Sequence, residues 1–203
     1  MRRAAWFAAA GTQALVVTGA WFWFHTHHPL GNQLAGDSGG ACLAWGRLAG
    51  LLAALGILIQ LMAVARVRSL ERAFGFDRLA RFHHIFGFAL VALLVAHPVL
   101  VTVFHASQAD AGLAGQLADF WHGWRGLASA MVGTAVMLAA LAASAAVLLG
   151  RLRYDVWYAT HLTLYAGFEA TVLHQVASGG DMTDHHAFRA YWLLLLAAPA
   201  FAL

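Results

Sequence analysis

The sequence predicts an all-α fold: a polytopic membrane bundle of six helices. Three observations carry that expectation. Apolar residues make up 62% of the 203 residues and charged residues only 10%, against about 25% charged in an ordinary soluble domain. The apolar residues gather into runs close to the ~20 needed to cross ~30 Å of hydrocarbon. The 12 basic residues, all Arg, fall unevenly between those runs. This composition excludes an ordinary soluble globule, a disordered chain and, despite a net charge of +3, a nucleic-acid binder built on basic patches. The single cysteine, Cys42, excludes an internal disulfide.

The first run, residues 4–24, carries no charge. It follows Met1-Arg2-Arg3 in the manner of a signal peptide, but it is long for a signal h-region and further runs follow, so it reads as a span. Residues 41–65 form the second span, with one charge, Arg47. Residues 85–104 form the third. Residues 127–150, rich in Ala, Leu and Val, form the fourth, and residues 157–176, carrying Glu169, the fifth. The sixth begins near Ala190 and is still apolar at Leu203. That stretch is too short to cross, so the natural chain is expected to continue past it. The loops, such as residues 31–40 and 178–184, are too short for a second soluble domain. No internal repeat and no Gly-rich phosphate cradle is visible, hence no nucleotide site.

Arginine counting orients the bundle. Arg2 and Arg3 precede span one; Arg66, Arg68, Arg72, Arg78 and Arg81 lie between spans two and three; Arg151 and Arg153 lie between spans four and five. All fall on one side, which is therefore cytoplasmic. The other side has Arg125 and Arg189 against Asp37, Asp110, Asp119, Asp181 and Asp184. The expected location is a cell (inner or plasma) membrane, multi-pass, with both termini cytoplasmic and the lipid bilayer as first partner.

Twelve histidines are many for so apolar a chain. His25, His27, His28, His105, His122, His185 and His186 fall at the outer side. His83, His84, His97, His161 and His174 fall at the start and near the end of spans three and five. Ionisable residues inside a membrane are costly and usually face the bundle interior for a reason. His83 and His97 are 14 residues apart, His161 and His174 13 apart, which is about 20 Å along each helix. Both spans run outward, so His83 and His161 share the inner leaflet and His97 and His174 the outer. Two opposed imidazoles at each level describe two bis-His haem sites stacked across the bilayer. Imidazole is a good axial iron ligand and the porphyrin supplies the other four. A bare zinc site wants three or four protein ligands at one level, and no level offers them. Small residues nearby, Gly87, Ala89, Ala96, Ala159 and Gly167, leave room for a flat macrocycle or serve ordinary close helix packing. A spacing of 14 keeps one helix face to within about 40°, whereas 13 leaves about 140°. Span five is therefore irregular or carries its groups on different flanks. The spacing favours His83 as inner ligand, with His84 the alternative.

Two stretches carry a family resemblance. Residues 65–98, ARVRSLERAFGFDRLARFHHIFGFALVALLVAHP, lead an Arg-rich inner loop into a helix with His83, a Gly four residues on, and His97 followed by Pro98. Residues 153–174, RYDVWYATHLTLYAGFEATVLH, are the other. With the six-span layout they make residues 1–203 resemble the ferric reductase-like transmembrane domain, the membrane core of ferric reductases and NADPH oxidases. The resemblance implies that His83 and His161 bind the inner haem iron and His97 and His174 the outer, as two haem b groups, and that the 13-residue spacing is tolerated. It implies electron transfer from a cytoplasmic flavin/NAD(P)H donor to an external acceptor such as ferric iron or oxygen. In the family, FAD and NAD(P)H domains follow the sixth span. Here such a domain would be missing, or supplied by a cytoplasmic flavin reductase domain or subunit. An alternative within the family is the haem membrane subunit of a periplasmic methionine-sulfoxide reductase system. The Arg-rich loop points rather to the flavin-linked branch.

Secondary positions have two readings each. Arg47 pairs with an outer haem propionate or attracts the acceptor; otherwise it snorkels to the outer headgroups. Glu169 relays protons or bonds Tyr165 or a hydroxyl. Phe168 sits between the macrocycles or simply packs. Pro98 removes the donor to the Leu94 carbonyl and bends span three. Trp6, Trp21, Trp23, Trp121, Trp124, Trp157 and Tyr158 read as interface aromatics. The inner Arg loop sets topology and meets anionic lipid, or docks a flavin domain. The outer histidines are solvated or gather metal ions. Outside electron transfer, two classes remain: a proton or metal transporter using intramembrane His and Glu169, and a haem-binding scaffold or sensor. A proton wire wants polar groups at successive depths, whereas the sequence shows two levels.

Overall fold

The computed structural model describes residues 2–27, 38–109, 112–178 and 180–202. Of the positions read above, Met1, His28, most of the loop at 31–40 with Asp37, Asp110 and Leu203 lie outside them. Every described element is helical: α1 (Arg2–His27), α2 (Ser38–Val64), α3 (Arg68–Phe74), α4 (Phe76–Gln108), α5 (Leu113–Gly123), α6 (Leu127–Leu148), α7 (Tyr154–Ala177), α8 (Gly180–Thr183) and α9 (His186–Ala202). Four of them, α1, α2, α4 and α6, are long and apolar enough to cross a membrane, which makes the chain a multi-pass membrane protein. The predicted fifth and sixth runs coincide with α7 and α9. At 24 residues α7 is long enough, but His161, Glu169, His174, Gln175 and three threonines dilute its apolar character. At 17 residues α9 sits at the lower limit for a crossing.

The helices differ from the expected runs where loops were expected. The Arg-rich loop expected on the inner side contains α3, set off from α4 by Gly75 at φ 81°. That positive φ is a conformation glycine adopts without strain. Arg66, at φ 53°, turns the chain out of α2, and its guanidinium lies 4.6 Å from the Phe76 ring centroid. The stretch expected as an outer loop contains α5, whose 11 residues are too few to span. It buries Gln116 and Phe120 and exposes Leu113, Leu117 and Trp121. α4 runs on through Pro98 as one helix.

The chain divides into two compact units, Met1–Asp110 with Ala190–Leu203, and Ala111–Arg189. In the first, α2 lies antiparallel along α4. Gly46 meets Leu100 and Val101, Gly50 meets His97, and Gly56 meets Leu90. Small residues at 46, 50 and 56 let the backbones approach, the usual device where lipid removes any hydrophobic drive between helices. α1 is tied to its neighbours at several depths: Arg3 donates through Nε to the Ala73 carbonyl at 2.6 Å, Tyr191 donates to Gln13 Oε1 at 2.5 Å, and Trp21 donates to the Ala44 carbonyl at 2.7 Å. In the second unit, α6 lies antiparallel along α7. A Cβ on Gly133 would collide with the Gly167 carbonyl, and one on Gly167 would stand 2.7 Å from Met137 Cγ. These helices touch backbone to backbone at mid-length.

Candidate functional site: histidines on two helical hairpins

Each unit presents one antiparallel hairpin, and each hairpin carries two of the candidate histidines. His83 and His97 stand on α4, held by α2; His161 and His174 stand on α7, held by α6. All four are half-buried.

His97 is fixed from the facing helix. Its Nδ1–H donates to the Gly46 carbonyl at 2.8 Å; a carbonyl only accepts, so the ring proton is on Nδ1 and Nε2 is the basic nitrogen. Gly50, one turn on, is the cradle: a Cβ there would lie 2.6 Å from His97 Nδ1 and 2.8 Å from Cε1. His83, nearer the other end, has its carbonyl bonded by Gln60 Nε2 at 2.8 Å. Gln60 is itself buried, at 7% exposure.

His161 is fixed from α6. Its Nδ1 lies 3.2 Å from Ser144 Oγ. At the other end of the hairpin, Gly126, at φ 79°, lies against the backbone of His174, so close that a Cβ would stand 2.9 Å from the His174 nitrogen. No side chain other than hydrogen fits there. The facing helix, or the glycine that precedes it, thus touches the histidine-bearing helix at both histidine levels in each hairpin.

The other sequence-predicted positions separate. His84 is exposed, its ring edge-on to Phe88 at 5.5 Å. Arg47 is half-buried with its guanidinium 5.9 Å from the Phe24 ring centroid. It shares the turn of α2 whose ends, Gly46 and Gly50, hold His97. Phe168 is buried beside Gly167, at 8% exposure, the environment of a packing residue. Glu169 is exposed on α7. Gly167, read as room for a macrocycle, is occupied by the contact with α6. His25, read with the outer loops, is wholly buried in the last turns of α1 and bonds the Trp21 carbonyl through Nδ1 at 2.9 Å.

Gly46, Gly50, Gln60 and Ser144 were missed by sequence reasoning. A signal existed for two: residues 46–50 read G-R-L-A-G, a small-xxx-small pattern that marks a close helix contact. Ser144, one hydroxyl in a run of Ala, Leu and Val, carries no pattern.

Among the described residues no three His, Cys, Asp or Glu side chains converge to hold a bare metal ion. The outer histidines therefore form no such centre there. The donor set fits a porphyrin iron instead, which asks the protein only for axial imidazoles. Two observations support the fit: His97 and His161 each turn Nδ1 to a fixed partner, the arrangement that orients metal-bound histidines, and Gly50 clears the space that the His97 ring takes.

The family described as ferric reductase like transmembrane component matches residues 49–172. The matched segment contains His83, His97 and His161, together with Gly50, Gln60, Gly126 and Ser144, and ends two residues before His174. No curated protein and no solved structure matches the chain.

Proposed function

The chain belongs to the ferric reductase-like transmembrane component family, and we propose that it carries electrons across a membrane by way of two haem b groups held by His83, His97, His161 and His174. His83 and His161 hold the inner group, His97 and His174 the outer. Bound haem supplies reversible one-electron chemistry, with a potential set by its axial ligands, their hydrogen bonds and burial.

The work left to the chain is positioning. The Gly46 carbonyl accepts the hydrogen bond of His97 Nδ1–H and so leaves Nε2 as the nitrogen that would bind iron. Gly50 gives the ring its space. Ser144 does for His161 what Gly46 does for His97. Gln60 and Gly126 hold the backbone at His83 and His174. The observation that carries this reading is the pair of Nδ1 hydrogen bonds, one in each hairpin, whose two imidazoles, His97 and His161, both fall within the family match.

Six crossings with both termini on the cytoplasmic side of a cell membrane complete the proposal. The donor is a cytoplasmic flavin/NAD(P)H domain or subunit. The exposed Arg68, Arg72, Arg78 and Arg81 offer it a positive surface at the inner face. The acceptor is external, ferric iron, oxygen or a similar oxidant.

Purified protein from haem-replete cells tests the reading. A reduced-minus-oxidised spectrum of low-spin haem b at two haems per chain is expected; a folded but colourless preparation contradicts it. Supplying a flavin reductase with NADPH and then ferric chelate, oxygen or a methionine-sulfoxide reductase partner in turn identifies the acceptor.

A further inference from the structure

The hydroxyl of Ser144 has three neighbours. It lies 2.9 Å from the Ala140 carbonyl, 3.1 Å from the Trp157 indole Nε1 and 3.2 Å from His161 Nδ1. A serine hydroxyl has one proton to give and two lone pairs to receive. The Ala140 carbonyl can only accept, and the Trp157 indole can only donate. One arrangement satisfies all three contacts. The Ser144 proton goes back to Ala140, one lone pair takes the Trp157 proton, and the other takes the proton on His161 Nδ1. The tautomer of His161 is therefore set by Ser144, and the Trp157 ring, with its centroid 5.2 Å from that of His161, belongs to the same assembly.

We propose that Ser144 is a positioning residue that, with Trp157, fixes the tautomer of His161 and tunes the redox potential of the one haem His161 holds. This deepens the function proposed above and rests on it. The sign of the tuning follows from the partners. An acceptor on Nδ1–H makes the imidazole more electron-donating, which favours ferric iron and lowers the potential. The Gly46 carbonyl on His97 does this undivided. Ser144 does it less, because its oxygen already receives the Trp157 proton. Removing the Ser144 oxygen takes the acceptor from His161 and raises the potential. Removing only the Trp157 donor frees Ser144 to accept more strongly and lowers it. Opposite signs from two neighbouring positions are not produced by simple loss of packing.

The test is a spectroscopic redox titration of the full-length, haem-loaded protein, with haem content measured beside it. The wild type is titrated first: two haem midpoints uphold the parent reading, and a protein with no haem overturns that reading together with this inference. In a wild type with two haems, Ser144→Ala shifts one midpoint upward and leaves the other in place, Trp157→Phe shifts the same midpoint downward, and Ser144→Thr, which keeps a hydroxyl, restores the wild-type value. Loss of a single haem in Ser144→Ala, recovered in Ser144→Thr, supports the proposal equally. Two haems with both midpoints unmoved in Ser144→Ala, or equal shifts of both, overturn it while leaving the parent reading intact.

Discussion

Gly50 is where a single atom decides most. Replacing a mid-helix glycine by alanine ordinarily favours the helix by about 0.5–1 kcal/mol. Here the new methyl would lie 2.6 Å from His97 Nδ1, so the ring must swing away and its bond to Gly46 must break. Misdirecting a ligand's second contact costs about 10–100-fold in metal affinity, which outweighs the gain in propensity. Gly50→Ala is expected to fold and to hold one haem where the wild type holds two, read as the haem-to-protein ratio after purification. Two haems retained with wild-type stability would show that His97 is not held against Gly50. The histidines themselves were legible in the sequence because ionisable groups stand out in an apolar run. Their partners were not, since a carbonyl at Gly46 and a hydroxyl at Ser144 are ordinary until folding sets them opposite an imidazole.

At the scale of elements, the two hairpins repeat one plan. A helix with small residues at its contact lies antiparallel to a helix with histidines toward both ends, and touches it at both levels. The midpoint of α6 and α7 is the tightest contact, Gly133 against the Gly167 carbonyl. Gly133→Leu puts a branched side chain where no Cβ fits. Overpacking of this kind costs about 1–3 kcal/mol or more, so a lowered thermal midpoint of the solubilised protein is expected, with loss of haem ligated by α7. An unchanged midpoint would place the two helices further apart than described. The long helices follow the apolar runs read from composition, because hydrocarbon demands such runs. α3 and α5 were not legible: each is a short segment flanked by turns, and its helicity depends on what it lies against. α5 turns Leu113, Leu117 and Trp121 outward, and of these only Trp121, as an interface aromatic, was expected.

The whole molecule is two compact units, each with half of a proposed ligand set: His83 and His97 in one, His161 and His174 in the other. Neither hairpin alone can complete a bis-His iron at either level. The account gives each haem one ligand from α4 and one from α7, and predicts that ligands are lost in those pairs. Sequence spacing and helix direction are the source of that expected pairing, since two helices running the same way bring like ends to like leaflets. The most direct test is the haem content and the remaining midpoint of the four single variants His83→Ala, His97→Ala, His161→Ala and His174→Ala. The account predicts two classes: His97→Ala and His174→Ala keep one haem with the same midpoint, and His83→Ala and His161→Ala keep one haem with the other. Variants that instead pair within a helix, His83 with His97 or His161 with His174, would contradict it.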